Sequence, residues 1–438
     1  MGFRIKRTAI AFAAGTALAT SMGAAHAAGL GLIAQSTGAL AHAFGGVTVN
    51  ATPSTAYYNP AGMVLISGNQ FEGDLNYYDI NSSFTGSSTV LGSGTGKNFV
   101  ESTLVPGNFG VISLPHGVKL GFSITTPIGG RIKYAPDFVG QFQGNEALIT
   151  SVQIGLDVAI PITRKLSIGF GPEINYFQNI LGLNQNLAPF PAAEGQFKGQ
   201  SYAFGYNIGA MYQFSPSTRI GIDYRSKIGQ TVKGPESVHL DPSLYNLLSA
   251  FNAAPPIASN AFDRWTFPQQ ISFGIYQQVT PRLSLMASAQ WTNWAQQQAL
   301  VITDPSTIGF TLGSIYTPFK YRNTWTVGLG ANYVAAPGLT LMGGVGYDES
   351  PVTAATRQDL LPDANRVLLG AGLTYQIMPM ATLQLGYQHI FVASAPINQT
   401  RSGLNADNSL NTAGAAGTLT GTYNLSANVF STGVILKF

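Results

Sequence analysis

The sequence contains no cysteine, and only 9% of its 438 residues are charged. The missing cysteines exclude a disulfide-stapled scaffold and thiolate chemistry, and with them the cysteine hydrolases. The shortage of charge excludes more. A soluble domain carries about 25% charged residues, so this chain has too few to clothe a particle of its size in water, and something other than water meets much of its surface. Histidine is also scarce: beyond the leader there are only His42, His116, His239 and His389. No serine pairs with them at a spacing that would build a hydrolase, and their own spacing supports no metal site.

Long apolar runs are absent too, except at the start. Arg4, Lys6 and Arg7 precede an apolar stretch from Thr8 to Ala19, and "AHA" at Ala25 to Ala27 is a small-residue cleavage signal, so residues 1–27 read as an export signal peptide. That stretch is well short of the roughly 20 residues a spanning helix needs, and no later run reaches that length. Removing the leader takes three of the 22 Lys and Arg and none of the 19 Asp and Glu, leaving 19 of each sign. A neutral chain offers nothing to nucleic acid.

What the chain does have is alternation in period two. Tyr202, Phe204, Tyr206, Ile208, Ala210, Tyr212 and Phe214 share one face, opposite Ala203, Gly205, Asn207, Gly209 and Gln213. Val152 to Ile160, Leu166 to Phe170 and Trp325 to Tyr333 follow the same frame. A soluble sandwich would carry Lys, Glu and Arg on its polar faces, whereas these carry Gly, Ser, Asn, Gln and Thr, as a crowded lumen would. The apolar face is therefore outermost. Fourteen such segments are expected, near 69–84, 107–115, 117–128, 147–161, 164–178, 200–214, 217–232, 265–280, 282–298, 320–335, 338–349, 365–378, 381–394 and 424–438. Short proline turns ("LPHGV", "PITRK", "SPST", "TPR", "APG", "MPM") alternate with long connections, as periplasmic turns alternate with extracellular loops. The expected fold is all-β: a 14-stranded antiparallel transmembrane barrel over 69–438, ending on "VILKF" and closed because an open edge in lipid leaves backbone groups unpaired. Trp291, Trp294, Tyr321 and Trp325 are expected in the aromatic girdles at its rims.

Residues 28–68 do not alternate. They are small and apolar, a poor composition for a solvated linker, so they are expected to plug the lumen as an N-terminal hatch with short helical pieces; the alternative is a periplasmic tail. Within them "YYNPAGM" places turn signals at Asn59, Pro60 and Gly62, with Ala61 between them and Tyr57 and Tyr58 beside them as wall-filling side chains. Two long connections are greasy. In one, Leu244, Leu247, Leu248 and Phe251 fall on one face of a short helix; the other spans 179–199. Each reads either as ligand capture or as loops packing together. Segment three ends in "TTPIGGRIKY", where Pro127, Gly129 and Gly130 predict failed interstrand bonding or an ordinary strand end. Arg225 and Lys227 fall in the lumen frame of segment seven, as a carboxylate contact or as part of a wall-bracing ion network.

The motifs in order, "YYNPAGM", "IDYRSKIGQTVKG", "QWTNW", "YRNTWTVGLGANYVAAPGLTLMGGVGYDESPV", "LPDANRVLLGAGLTYQ" and "LQLGYQHIF", make the mature chain resemble the FadL/TodX family of outer-membrane transport proteins. The resemblance implies a fourteen-stranded barrel with an N-terminal hatch, in which Asn59, Pro60 and Ala61 match the hatch motif. It implies passive uptake of hydrophobic molecules: long-chain fatty acids in one branch, aromatic hydrocarbons in another. It further implies a lateral opening near Pro127 to Gly130 and a capture groove in the two greasy loops. No enzyme activity, cofactor or metal is expected, and the surroundings are outer-membrane lipid and lipopolysaccharide, with a monomer as the working unit. A general porin and an outer-membrane lipid hydrolase are the rival classes.

Overall fold

A sheet whose outer face is apolar and whose lumen face is small and polar can only be satisfied by closing on itself in lipid, and the chain does so. The computed structural model describes residues 31–186, 191–250, 258–303, 315–404 and 410–438. Fourteen antiparallel strands form the wall: β1 Gln70–Ser88, β2 Thr103–Ser113, β3 Lys119–Thr125 continued by Gly129–Lys133, β4 Glu146–Pro161, β5 Leu166–Gln185, β6 Ala193–Ser215 and β7 Thr218–Arg225 continued by Ile228–His239. They are followed by β8 Ala258–Phe267 continued by Gln270–Gln278, β9 Leu283–Thr292, β10 Thr324–Ala336, β11 Leu339–Asp348, β12 Arg366–Met378, β13 Ala381–Val392 and β14 Leu410–Lys437. Each strand pairs with the next, and β14 returns to β1 from Gln70↔Lys437 to Ser88↔Leu419. Among the described residues no helix is long and apolar enough to cross a membrane.

The alternation faces as expected. On β6, Tyr202 and Phe204 are 69% and 73% exposed while Asn207 is buried; on β10, Trp325, Val327 and Leu329 point outward and Thr324 and Thr326 inward. Several strand ends differ from the expected bounds: the eighth strand starts at Ala258 instead of 265, the ninth ends at Thr292 instead of 298, and the fourteenth starts at Leu410 instead of 424. The apolar stretch expected as a loop over 179–199 is largely a taller hairpin, because β5 and β6 keep pairing from Asn179↔Gly199 to Gln185↔Ala193. The alternation continues there with Leu183 and Phe197 buried, so these apolar residues are inward strand positions.

Residues 31–66 fill the lumen, nearly all of them buried. They form helix α1 (Thr37–Ala41), a 3₁₀ turn (Val47–Val49), helix α2 (Thr55–Tyr58) and a second 3₁₀ turn (Pro60–Leu65). Pieces this short are not stable alone, and the wall holds their ends. Asp74 accepts hydrogen bonds from the Thr37 amide (3.1 Å) and hydroxyl (2.6 Å) at the start of α1. Glu72 accepts one from the Ser54 amide (2.7 Å) at the start of α2. The lumen glycines have the same explanation. A Cβ on Gly344 would collide with the His42 carbonyl, and one on Gly328 would lie 2.5 Å from the Ala43 oxygen, so the hatch backbone rests directly on the wall.

Candidate functional site

The hatch motif builds the floor of the site. Asn59 caps the second 3₁₀ turn by accepting from the Ala61 amide (3.1 Å), and Pro60 occupies a first-turn position where a missing N–H costs nothing. The Asn59 amide also donates to the Thr48 oxygen (2.9 Å) and to the Ala210 oxygen of β6 (3.3 Å), tying the turn to the hatch and to the wall. Gly62 admits no side chain, since a Cβ there would strike the Thr55 hydroxyl. The Tyr58 hydroxyl accepts from the Gln35 amide (2.7 Å) and donates to the Ile33 oxygen (3.2 Å), which pins the segment before α1.

That segment runs to a gap in the wall. The pairing of β2 with β3 stops at Asn108↔Ile124, and beyond the break the ladder of Gly129–Lys133 runs with β4, from Gly129↔Thr150 to Lys133↔Glu146. Thr103–Gly107 is meanwhile bonded only to β1. The wall rejoins above, where Lys133 donates to the Phe99 oxygen (2.8 Å) and Glu101 to the Arg131 oxygen (3.2 Å). The gap therefore lies between Thr103–Gly107 and Thr126–Gly130, and it contains Pro127, Gly129 and Gly130. Pro106 stands on the opposite edge; sequence reading passed over it, although a proline in a strand was the available signal.

The start of the hatch occupies this gap. Gly31 bridges Ile128, and the Leu32 amide donates to the Pro127 oxygen (2.9 Å). Gln35 completes the seal with its side chain: Oε1 accepts from the Thr126 amide (2.8 Å), while Nε2 donates to the Thr126 oxygen (3.0 Å) and the Leu32 oxygen (2.6 Å). These bonds replace the ladder partners lost at the break. No pattern in the sequence marks Gln35, because its role exists only once the strand has broken opposite it.

Above the hatch lies a two-lobed cavity. One lobe is a cavity of about 70 Å³, with Tyr57, Tyr58, Phe44, Pro127, Ile128 and Phe267 among its lining residues. The other, about 50 Å³, lies beside Tyr321, Val352 and Leu361. Gly31, Ile33, Gln270, Gln290 and Trp294 border both lobes. Trp294 and the buried Tyr321, expected in a rim girdle, instead face each other here with rings 6.1 Å apart. A 3₁₀ turn, Trp294–Gln296, after β9 carries Trp294 inward, whereas Trp291 and Trp325 stay on the strands as cross-strand partners.

Both arginines at the cavity are paired. Arg225 bonds Glu173 (2.8 Å), donates to the Tyr57 carbonyl and lies 4.1 Å over the Tyr57 ring, so it fastens the hatch to the wall. Arg366, which sequence reading did not single out, pairs with Asp363 (3.2 Å) and Asp348 (3.5 Å) at the second lobe. Lys227 does not join Arg225 in the lumen. β7 breaks at Ser226 and Lys227, which shifts the alternation by one, so Arg225, Ser226 and Ile228 are buried and Lys227 is exposed on the outer face. At the extracellular end, helix α3 (Pro242–Ala250) buries Leu244, half-buries Leu248 and exposes Leu247; Phe251 lies outside the described residues.

The comparisons agree with this architecture. The chain is 27% identical over 391 residues to the long-chain fatty acid transport protein of Escherichia coli O6:H1, covering 82% of this chain and 84% of that one. It is also 27% identical over 423 residues to a putative outer membrane protein of Neisseria meningitidis serogroup B, covering 86% and 88%. Among solved structures, a FadL homologue of Pseudomonas aeruginosa superposes with a TM-score of 0.84 at 24% identity, covering 94% of this chain and all of that one. The toluene transporter TbuX of Ralstonia pickettii superposes at 0.67 and 16% identity, covering 93% and 99%. The family pattern described as outer membrane protein transport protein (OMPP1/FadL/TodX) matches residues 17–438, and with its closed barrel, filled lumen and broken third strand, the chain belongs to that family of outer-membrane transport proteins.

Proposed function

We propose that the protein takes up hydrophobic molecules passively, holds them in the cavity above the hatch and releases them sideways through the gap between β2 and β3 into the outer leaflet. The observation that carries this reading is that one cavity lobe is bordered both by the hatch, at Tyr57 and Tyr58, and by the gap, at Pro127 and Ile128. Straight passage to the periplasm would cross the tightly seated hatch and buried carboxylates such as Glu173 and Asp223, which an apolar molecule has no reason to enter. Sideways passage requires only that residues 31–35 leave the gap. Leu244, Leu247 and Leu248, with Phe251, serve as the extracellular capture surface. Downhill diffusion suffices, since each buried methylene contributes about 0.8 kcal/mol. Residues 1–27 act as the export signal, and the working unit is a single barrel.

A disulfide lock tests the route. Antiparallel bridge partners have Cα atoms about 4.5–5.5 Å apart, within disulfide range, and the chain has no cysteine of its own. In Gly31→Cys/Ile128→Cys, uptake stops on oxidation and returns on reduction. Equal uptake in both states would refute lateral release at this gap.

The long-chain fatty acid is the ligand class favoured by the fatty acid transport relative. A second reading, an uncharged hydrocarbon such as an aromatic, is favoured by a specific observation: both arginines at the cavity, Arg225 and Arg366, already have carboxylate partners. Comparing a fatty acid with its alcohol decides. Tighter binding of the acid by tenfold or more supports the first reading, and equal binding supports the second.

A further inference from the structure

The outer surface of β6, β7 and β8 carries a cluster of cations that neither the lumen nor the transport route uses. Lys198 on β6, Lys227 and Lys233 on β7 and Arg264 on β8 are all exposed. None belongs to the ion pairs found among the described residues, which use Arg131, Arg225 and Arg366. The sheet register brings Lys198, Lys233 and Arg264 together: Lys233 lies opposite Gln200 of β6 on one side and Phe262 of β8 on the other, with Thr231↔Arg264 the second rung below that pair. Lys198 is two residues above Gln200 on the same outward frame of β6. The Arg264 guanidinium sits 5.8 Å over the Phe262 ring, its stem lying on the sheet.

The height of this cluster identifies what it meets. β5 and β6 run for 20 and 23 residues, about twice the 9–11 needed to cross the hydrocarbon, so their upper halves stand in the headgroup layer. The upper aromatic girdle lies just beneath the cations. Tyr176 and Tyr202 pack with rings 5.1 Å apart, and the Tyr176 hydroxyl donates to Gln200. Tyr206 and Tyr224 are 6.0 Å apart near Lys227. Lys227, six residues below Lys233 on β7 and beside Tyr206, marks the lower edge of the aromatic face, where a lysine stem lies along apolar surface with its ammonium reaching upward. The first exposed carboxylate up the outward frame of β6 is Glu194, four residues above Lys198 and beyond the cluster.

We infer that this cluster binds the phosphate groups of an acylated, phosphorylated glycolipid of the outer leaflet, lipopolysaccharide, whose acyl chains lie on the exposed Tyr202, Phe204 and Tyr206 below. A juxtamembrane cation facing anionic headgroups contributes about fivefold in affinity. The chemistry requires two features together, several unpaired cations at phosphate height and an apolar aromatic face directly beneath, and the outer surface of these three strands has both.

The test uses full-length protein in phosphatidylcholine nanodiscs, with bis-phosphorylated lipid A and its dephosphorylated form as probes and native mass spectrometry or thermal shift as readout. The wild type is expected to prefer the phosphorylated form by tenfold or more. Lys198→Gln/Lys227→Gln/Lys233→Gln/Arg264→Gln is expected to lose that preference. A control carrying Arg164→Gln/Lys165→Gln/Arg282→Gln, cations in the periplasmic turns, is expected to keep it. The proposal fails if the quadruple variant discriminates like the wild type, if the control loses discrimination equally, or if inorganic phosphate at the same concentration produces the same shift. If the quadruple variant does not fold, Lys233→Gln alone is expected to reduce the preference about fivefold, and no reduction overturns the assignment.

Discussion

The hatch meets the wall in two different ways. From His42 to Gly45 its backbone lies on wall glycines of β10 and β11, with Gly328 and Gly344 leaving no room for a methyl group. From Gly31 to Gln35 it is held at the gap mainly by hydrogen bonds to Pro127 and Thr126, with one close backbone contact where the Gln35 carbonyl rests on Gly107. The first contact is close packing, which is lost all at once and has no substitute. The second consists mainly of hydrogen bonds, which water or a polar group on a ligand can replace at a net cost of about 1 kcal/mol each. A plug built this way is seated at one end and latched at the other, and the latched end is the one that closes the opening.

Substitutions can break or sharpen this contrast. The largest effect is expected from Arg225→Met, which leaves Glu173 buried without its partner and should destabilise the barrel by about 3–5 kcal/mol. Adding Glu173→Gln should recover much of that loss in thermal unfolding, and no recovery would show that Arg225 acts through its hatch contacts instead. Next, Gly344→Val drives a side chain into the His42 carbonyl and should cost about 3 kcal/mol or more, read as a reduced folded fraction by heat-modifiable gel mobility. Gln35→Ala removes only the latch. It should leave the barrel's melting temperature nearly unchanged, yet speed amide exchange over residues 31–35 about tenfold and raise uptake, corresponding to about 1–3 kcal/mol of local stability. If Gln35→Ala melted the barrel as readily as Gly344→Val, the two ends of the hatch would not differ. The smallest effect belongs to Gly31→Ala: no atom lies within 4 Å of the added carbon, so the change should stay within about 0.5 kcal/mol.

Much of this could be read from the sequence, for identifiable reasons. Alternation in period two survives folding because each strand side chain faces either lipid or lumen, so Tyr202 and Phe204 declared the outside without a structure. Asn59 and Pro60 were legible because a cap followed by a first-turn proline is a local device. The errors share a cause. A two-residue break at Ser226–Lys227 reversed the facing of Lys227, and a period continued across a break carries no warning. The 179–199 hairpin passed for a loop because its apolar positions read as greasy, while the pairing that makes them inward lies across the hairpin. Trp294 looked like its neighbours Trp291 and Trp325 until the turn after β9 carried it into the cavity.

By itself, the sequence determined the closed barrel and its orientation in lipid, and it marked the hatch and the end of the third strand as candidates, because each follows from side-chain chemistry over a few residues. Tertiary structure alone decided which groups meet: Gln35 in the gap at Thr126, Arg225 between Glu173 and Tyr57, and Lys198, Lys233 and Arg264 together on the outer wall. Those juxtapositions join residues up to 168 positions apart. They are set by strand register and by how the hatch is threaded, and neither leaves a mark on the local pattern.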